Sequence, residues 1–138
     1  KDCVLDTCDN TDETFNVGFI VDESGSVGRS NYVTSLEYFV KKMVKENLNE
    51  DSLVSFLSFA SGNDRNWLFT DTGGPGNTNR EGVLGAIEQE KSDYRSGGTC
   101  LGPAIEEMIT DYTDDLPTID AADRGDTNVL FVVTDGIA

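Results

Sequence analysis

The stretch FNVGFIVDESGSVG, from Phe15 to Gly28, limits the fold more than any other part of the chain. Its run from Val17 to Val21 lacks the apolar-polar alternation of a strand with one wet face, so both faces need cover. The run stops abruptly at Asp22-Glu23-Ser24-Gly25-Ser26, and a helical pattern begins at once. A central strand of a parallel sheet, feeding a loop and then a helix, satisfies all three observations.

The rest of the chain extends that unit. From Ser30 to Asn49, Tyr32, Val33, Leu36, Phe39, Val40, Met43, Val44 and Leu48 recur at spacings of three and four and mark one face of a long helix. The lysines and Glu46 take its solvated faces. Ser52 to Ala60 predicts a second strand. Trp67 to Thr70 predicts a short third one, with the polar SGNDRN between them as the turn of a hairpin, which makes the third strand an antiparallel edge. The glycine-rich loop from Thr70 to Asn79 lacks the Gly-Lys-Ser/Thr ending of a phosphate-binding loop and is a structural connection. Thr78 and Glu81 form a capping box for a helix carrying Val83, Leu84 and Ile87, in which Gly82 and Gly85 are expected where a neighbour packs closely. After the break Ser96-Gly97-Gly98-Thr99, Leu101, Ala104, Ile105, Met108, Ile109 and Tyr112 fall on one helical face, with Pro103 in the first turn, where it is tolerated. Thr127 to Thr134 is the last strand, apolar without a break from Val129 to Val133 and ending at Asp135-Gly136. The order predicts an α/β fold: a doubly wound, mostly parallel sheet with one short antiparallel edge strand and helices on both faces. Residues 1–14 form a leader and 15–138 the domain. Ligands of such sheets bind at the carboxyl ends of the strands, where Asp22 and Asp135 stand.

Composition excludes several chemistries. The 138 residues fit one domain. A net charge of -16 opposes nucleic acid and anionic membranes, which require a basic footprint. With no histidine, the chain builds neither a Ser-His-Asp triad nor a histidine-ligated zinc site. No apolar run approaches the roughly 18 residues of a membrane span. Cys3 and Cys8 precede the first strand and Cys100 lies far off; with the acidic surface they fit an extracellular, secreted setting, and their spacing leaves the disulfide pairing open. Core packing is the expected role of Cys100, as it is a bystander's place for Glu23 and solvent for Arg29.

Asp22, Ser24 and Ser26 alternate along one loop, and Thr99 and Asp135 close two other segments. Together they offer carboxylate and hydroxyl oxygens of the kind a hard cation takes. The Asp-x-Ser-x-Ser of residues 22–26, the Thr99 of SGGT and the Asp135 of VVTDG resemble the metal-ion-dependent adhesion site (MIDAS) of von Willebrand factor A domains, including integrin inserted domains. The three segments occur in family order, and the resemblance runs from Phe15 to the end of the chain.

The resemblance implies Mg2+, or Mn2+ or Ca2+, held by Ser24, Ser26 and Thr99, with Asp22 and Asp135 acting through water. It implies a cell-adhesion or extracellular-matrix module whose partner protein, or a matrix component, completes the coordination with an acidic side chain. In that family further strands and helices follow the TDG strand, so this chain is expected to lack them and to leave its last strand as an edge. Two other functions remain to be weighed: a structural interaction module with a vestigial metal site, and a metal-dependent hydrolase. No catalytic residues are expected, since neither a cationic clamp nor a nucleophile paired with a base is legible near the loops.

Overall fold

The computed structural model describes residues 13–134. Cys3, Cys8 and Asp135 lie outside them. Four strands, β1 (Phe15–Asp22), β2 (Leu53–Phe59), β3 (Asn63–Trp67) and β4 (Thr127–Val133), form one sheet in the order β3-β2-β1-β4. β1 pairs parallel with β2 and with β4, while β3 runs antiparallel to β2. This is the expected sheet, mostly parallel with one antiparallel edge.

Three helical segments cover it. The first is α-helical over α1 (Arg29–Ser35) and widens into π turns over Leu36–Lys41 and Met43–Asn47. The second is α2 (Asn79–Lys91), and the third is α3 (Leu101–Thr110), prolonged by a turn at Asp111–Asp115. Val17, Phe19 and Val21 of β1 and Val54 and Phe56 of β2 bury one face against Tyr32, Leu36, Val40 and Val44 of the first segment and Val83 and Ile87 of α2. Ile20, Leu57 and Phe59 bury the other against Ala104 and Met108 of α3. Unbroken apolarity in β1 thus reflects two covered faces. Phe19 stacks on Phe131 with centroids 5.6 Å apart and meets the edge of Phe39. Full burial of such a ring stabilises by about 1.5–3 kcal/mol.

Close approaches explain two of the glycines. A Cβ on Gly18 would stand 2.8 Å from the Met108 sulfur and 2.9 Å from the Tyr112 hydroxyl, so its bareness admits α3 to the sheet. One on Gly82 would strike the Thr72 carbonyl at 2.6 Å and the Trp67 ring at 2.8 Å, as expected of a close neighbour; at Gly85 nothing lies within 4 Å, so that expectation fails there. The capping box at the start of α2 is present, with Thr78 accepting from the Glu81 N–H and Glu81 returning to the Thr78 N–H.

The helix layer is cross-tied. Arg80 of α2 donates to the carbonyls of Val44 and Lys45, both at 3.0 Å. At the opposite end of α2, Tyr32 donates to Glu90, and Lys41 and Lys91 pair with Glu37 and Glu88. Among the described residues no helix is long and apolar enough to cross a membrane.

Two further expectations need correction. The polar stretch predicted as a turn is itself the strand β3, and the hairpin turn shrinks to Ser61-Gly62. As a half-buried edge strand β3 needs no apolar face, because polar partners satisfy it: Asn66 donates to the Ser58 hydroxyl at 2.9 Å, and Arg65 pairs with Glu107 and Asp111. β4, expected as an edge, is covered only in part. It stands at the edge of the described sheet, with Leu130 39% and Val132 40% exposed. Cys100 is exposed rather than in the core, since it directly precedes α3, where its backbone N–H is tied to the Ala60 carbonyl.

Candidate metal centre

β1 delivers Asp22 to its carboxyl end almost fully buried, 2% exposed. Its Oδ1 accepts the Ser24 N–H at 2.8 Å, an Asx turn that bends the chain out of the strand, and its Oδ2 accepts the Thr134 hydroxyl at 2.7 Å. The Ser24 carbonyl then accepts from the N–H groups of Val27 and Gly28 and from the Tyr94 hydroxyl. Gly28, at φ 82°, occupies the left-handed region and turns the chain into α1. These bonds fix the two serine hydroxyls as neighbours, with Oγ atoms 3.1 Å apart.

That separation suits a hard cation. Oxygen ligands about 2.0–2.1 Å from Mg2+ in octahedral geometry stand about 2.9–3.0 Å apart when adjacent. The two hydroxyls are neutral, and Asp22 already directs both oxygens at protein donors, so the donor set fits a cation held by hydroxyls with a carboxylate standing behind them.

The other loops arrive by specific contacts. Gly25 donates its N–H to the Gly97 carbonyl at 2.9 Å, which docks the SGGT segment against the serine loop. A Cβ on Gly25 would come within 3.2 Å of the Ser96 hydroxyl. Ser96 (φ 63°) and Gly97 (φ 122°) both turn through positive φ. Thr99 follows two residues later, half-buried. The structure thus brings Asp22, Ser24 and Ser26 into one loop and sets the segment of Thr99 beside it, while Asp135 lies outside the described residues. Its neighbour Thr134 is tied to Asp22. A cleft of about 310 Å³ opens there, lined by Asp22, Ser26, Val27, Asn31 and Thr134 among others. Thr134 and Tyr94 were not legible as parts of the site. Only the place of Thr134 beside Asp135 carried a signal. Arg29 is exposed, as expected.

Glu23, expected as a bystander rather than a cation ligand, has a partner of its own. It is fully buried, its Oε1 accepts from Arg95 Nε at 2.5 Å, and its Oε2 has no hydrogen-bond partner. Burial pushes its carboxyl up, with Arg95 pulling the other way. Nearby, Glu90 Oε1 accepts from the Tyr32 hydroxyl at 3.0 Å and from the Ser58 hydroxyl at 3.1 Å. Burial pushes the Glu90 carboxyl up to about 7 against those hydrogen bonds, and the charges of Asp64 and Glu23 add to the rise. These groups come from the loop after β1, from α1, β2, β3 and α2 and from the segment after α2, so no local motif marks them.

Comparison with known proteins agrees with this architecture. A family model described as von Willebrand factor type A domain matches residues 17–137. Cochlin of Homo sapiens is 30% identical over 132 residues and cochlin of Mus musculus 32%, each alignment covering 94% of this chain but 21% of the relative. The chain therefore spans about a fifth of the length of these curated relatives. Among solved structures, proximal thread matrix protein 1 from the mussel byssus superposes with a TM-score of 0.68 at 18% identity, over 92% of this chain and 32% of that one, a likeness of fold. Sheet order, loop geometry and the family match agree, and the chain belongs to the von Willebrand factor type A domain family.

Proposed function

We propose that this domain is an extracellular, non-enzymatic adhesion or matrix-binding module, working through a divalent cation at the carboxyl end of β1. The observation that carries the reading is the pair of serine hydroxyls 3.1 Å apart on a loop oriented by buried Asp22. Ser24 and Ser26 would hold Mg2+, or Mn2+ or Ca2+, joined by Thr99, with Asp22 and Asp135 oriented behind them. An ion bound through neutral hydroxyls keeps much of its charge and accepts a further anionic oxygen, such as a partner's carboxylate. Asp22 preserves the loop, Tyr94 and Gly97 brace it, and the cleft beside Ser26 admits the incoming group. The mussel byssus protein that shares this fold is named as a matrix protein, which favours a matrix setting. The net charge of -16 repels an acidic partner at long range, so the acidic residue it contributes belongs in basic surroundings.

Calorimetric titration of the metal-free chain with Mg2+, Mn2+ and Ca2+, beside Asp22→Ala, tests the reading. Saturable Mg2+ binding in the parent that disappears in the variant is expected. Equal binding by both would refute it and assign the chain to structural interaction modules.

A further inference from the structure

The loop of Ser24 and Ser26 meets the loop of Thr99 along three bonds. The Tyr94 hydroxyl donates to the Ser24 carbonyl at 3.0 Å, the Gly25 N–H to the Gly97 carbonyl at 2.9 Å, and Arg95 Nε to Glu23 Oε1 at 2.5 Å. The other side of the Thr99 loop rests on the chain leaving β2, where the Gly98 N–H donates to the Ser61 hydroxyl at 2.7 Å and the Cys100 N–H to the Ala60 carbonyl at 2.9 Å. Glu23 stands on the same strand end, its own N–H donating to the Phe59 carbonyl at 2.9 Å. Thr99 is therefore suspended between the end of β2 and the serine loop.

Of the three bonds between the loops, the one from Arg95 to Glu23 alone joins two side chains. It is poorly suited to adding stability. Glu23 is fully buried with its Oε2 unpartnered, while the Arg95 side chain is 38% exposed. Taking a carboxylate out of water costs about what the pairing returns, and apolar residues of similar volume often replace such a pair without loss. What an apolar pair does not supply is direction. Ser96 (φ 63°) and Gly97 (φ 122°), the two residues after Arg95, hold conformations that persist only where their surroundings over-determine them. The bond to Glu23 fixes the chain just before that turn, and the turn sets the course to Thr99.

We infer that Glu23 and Arg95 are positioning residues of the cation site: their bond holds the loop of Thr99 onto the loop of Ser24 and Ser26 before an ion arrives. Neither residue is a ligand. The inference rests on the reading of Ser24, Ser26 and Thr99 as the ligands of the ion.

The test variant is Glu23→Met/Arg95→Met, which removes the bond, strands no charge and keeps the net charge of the parent. Its thermal unfolding midpoint is expected at or above the parent value. In the metal-free chain, amide exchange followed by nuclear magnetic resonance should show Gly25 losing its protection while Phe19 and Ile20 of β1 keep theirs. Calorimetric Mg2+ affinity should fall about tenfold or more, as when an outer partner of a metal ligand is removed. Thr99→Ala, which weakens Mg2+ binding in the parent, should add little in this background, because the two changes act through one loop. Arg95→Gln, made at the exposed partner alone, is read in the same way. Retained Gly25 protection in both variants, or a Thr99→Ala loss as large in the variant background as in the parent, would overturn the inference. Absence of Mg2+ binding in the parent would instead sink the reading of the loops as a cation site, and Gly25 exchange would still decide whether the pair docks them.

Discussion

Asn79 is the residue whose loss the fold should tolerate least. It opens α2 with its side chain turned inward, 4% exposed. Its Oδ1 accepts the Val54 N–H of β2 at 2.6 Å, and its Nδ2 donates to the carbonyls of Leu68 at 2.9 Å, Phe69 at 3.0 Å and Asp71 at 2.8 Å. One amide thereby joins the central sheet, the chain leaving β3 and the start of the helix that carries Glu90. Truncation to alanine strands a buried N–H, which costs about 1–3 kcal/mol, and removes the two N–H donors that the three carbonyls share, at roughly 0.5–1.5 kcal/mol each, some of which water restores. We expect Asn79→Ala to lose about 3–5 kcal/mol. With a urea slope of about 1–3 kcal/mol/M for a domain of this size, the unfolding midpoint should fall by about 2 M. Asn79→Asp sharpens the test: it keeps the acceptor for Val54 but points a carboxylate at three carbonyl oxygens. It should be at least as unstable as the alanine variant near neutral pH and recover as the carboxylate is protonated. A loss below about 1 kcal/mol in Asn79→Ala would show that the amide is not the joint described, because so small a value is typical of surface substitutions.

Burial first, and Asp115 second, push the Asp111 carboxyl up to about 6 from its ordinary 3.8, so the folded state holds its proton more tightly than the unfolded one. The stability this confers is complete below about pH 3.8 and is lost as pH rises through about 6, a change on the order of 3 kcal/mol; Asp111→Asn should remove that component from urea midpoints measured between pH 4 and 7, and superimposable pH profiles would contradict it. Gly18→Ala should destabilise by about 1–3 kcal/mol, because the new methyl meets Met108 and Tyr112 and must lift α3 from the sheet. Thermal unfolding measures it, and an unchanged midpoint would mean that α3 yields freely.

The sheet and the loop residues Asp22, Ser24 and Ser26 were legible because each is written locally: unbroken apolar runs for β1, and alternating oxygen donors within five positions. β3 was not, since an edge strand satisfied by Asn66 and Arg65 side-chain bonds has no apolar period to display. Burial of Glu23 was hidden for a related reason. Nothing near it announces Arg95, seventy-two positions away, as its partner. Cys100 misled in the opposite sense, because a small apolar residue before a helix looks the same to a pattern whether it points inward or out.

The cross-ties between the first helical segment and α2 have a mechanical consequence. Arg80 grips the carbonyls near one end, and Tyr32 and the lysine–glutamate pairs grip the other, so the two helices are fastened at both extremities. A pair of rods pinned in this way moves as a plate. The loop of Ser24 and Ser26 is joined directly to α1 through Gly28, so a pull on that loop is spread over the whole plate, from the near end where Tyr32 meets Glu90 to the far end where Arg80 holds Val44 and Lys45. Load applied at the rim is shared by the layer instead of peeling one helix away.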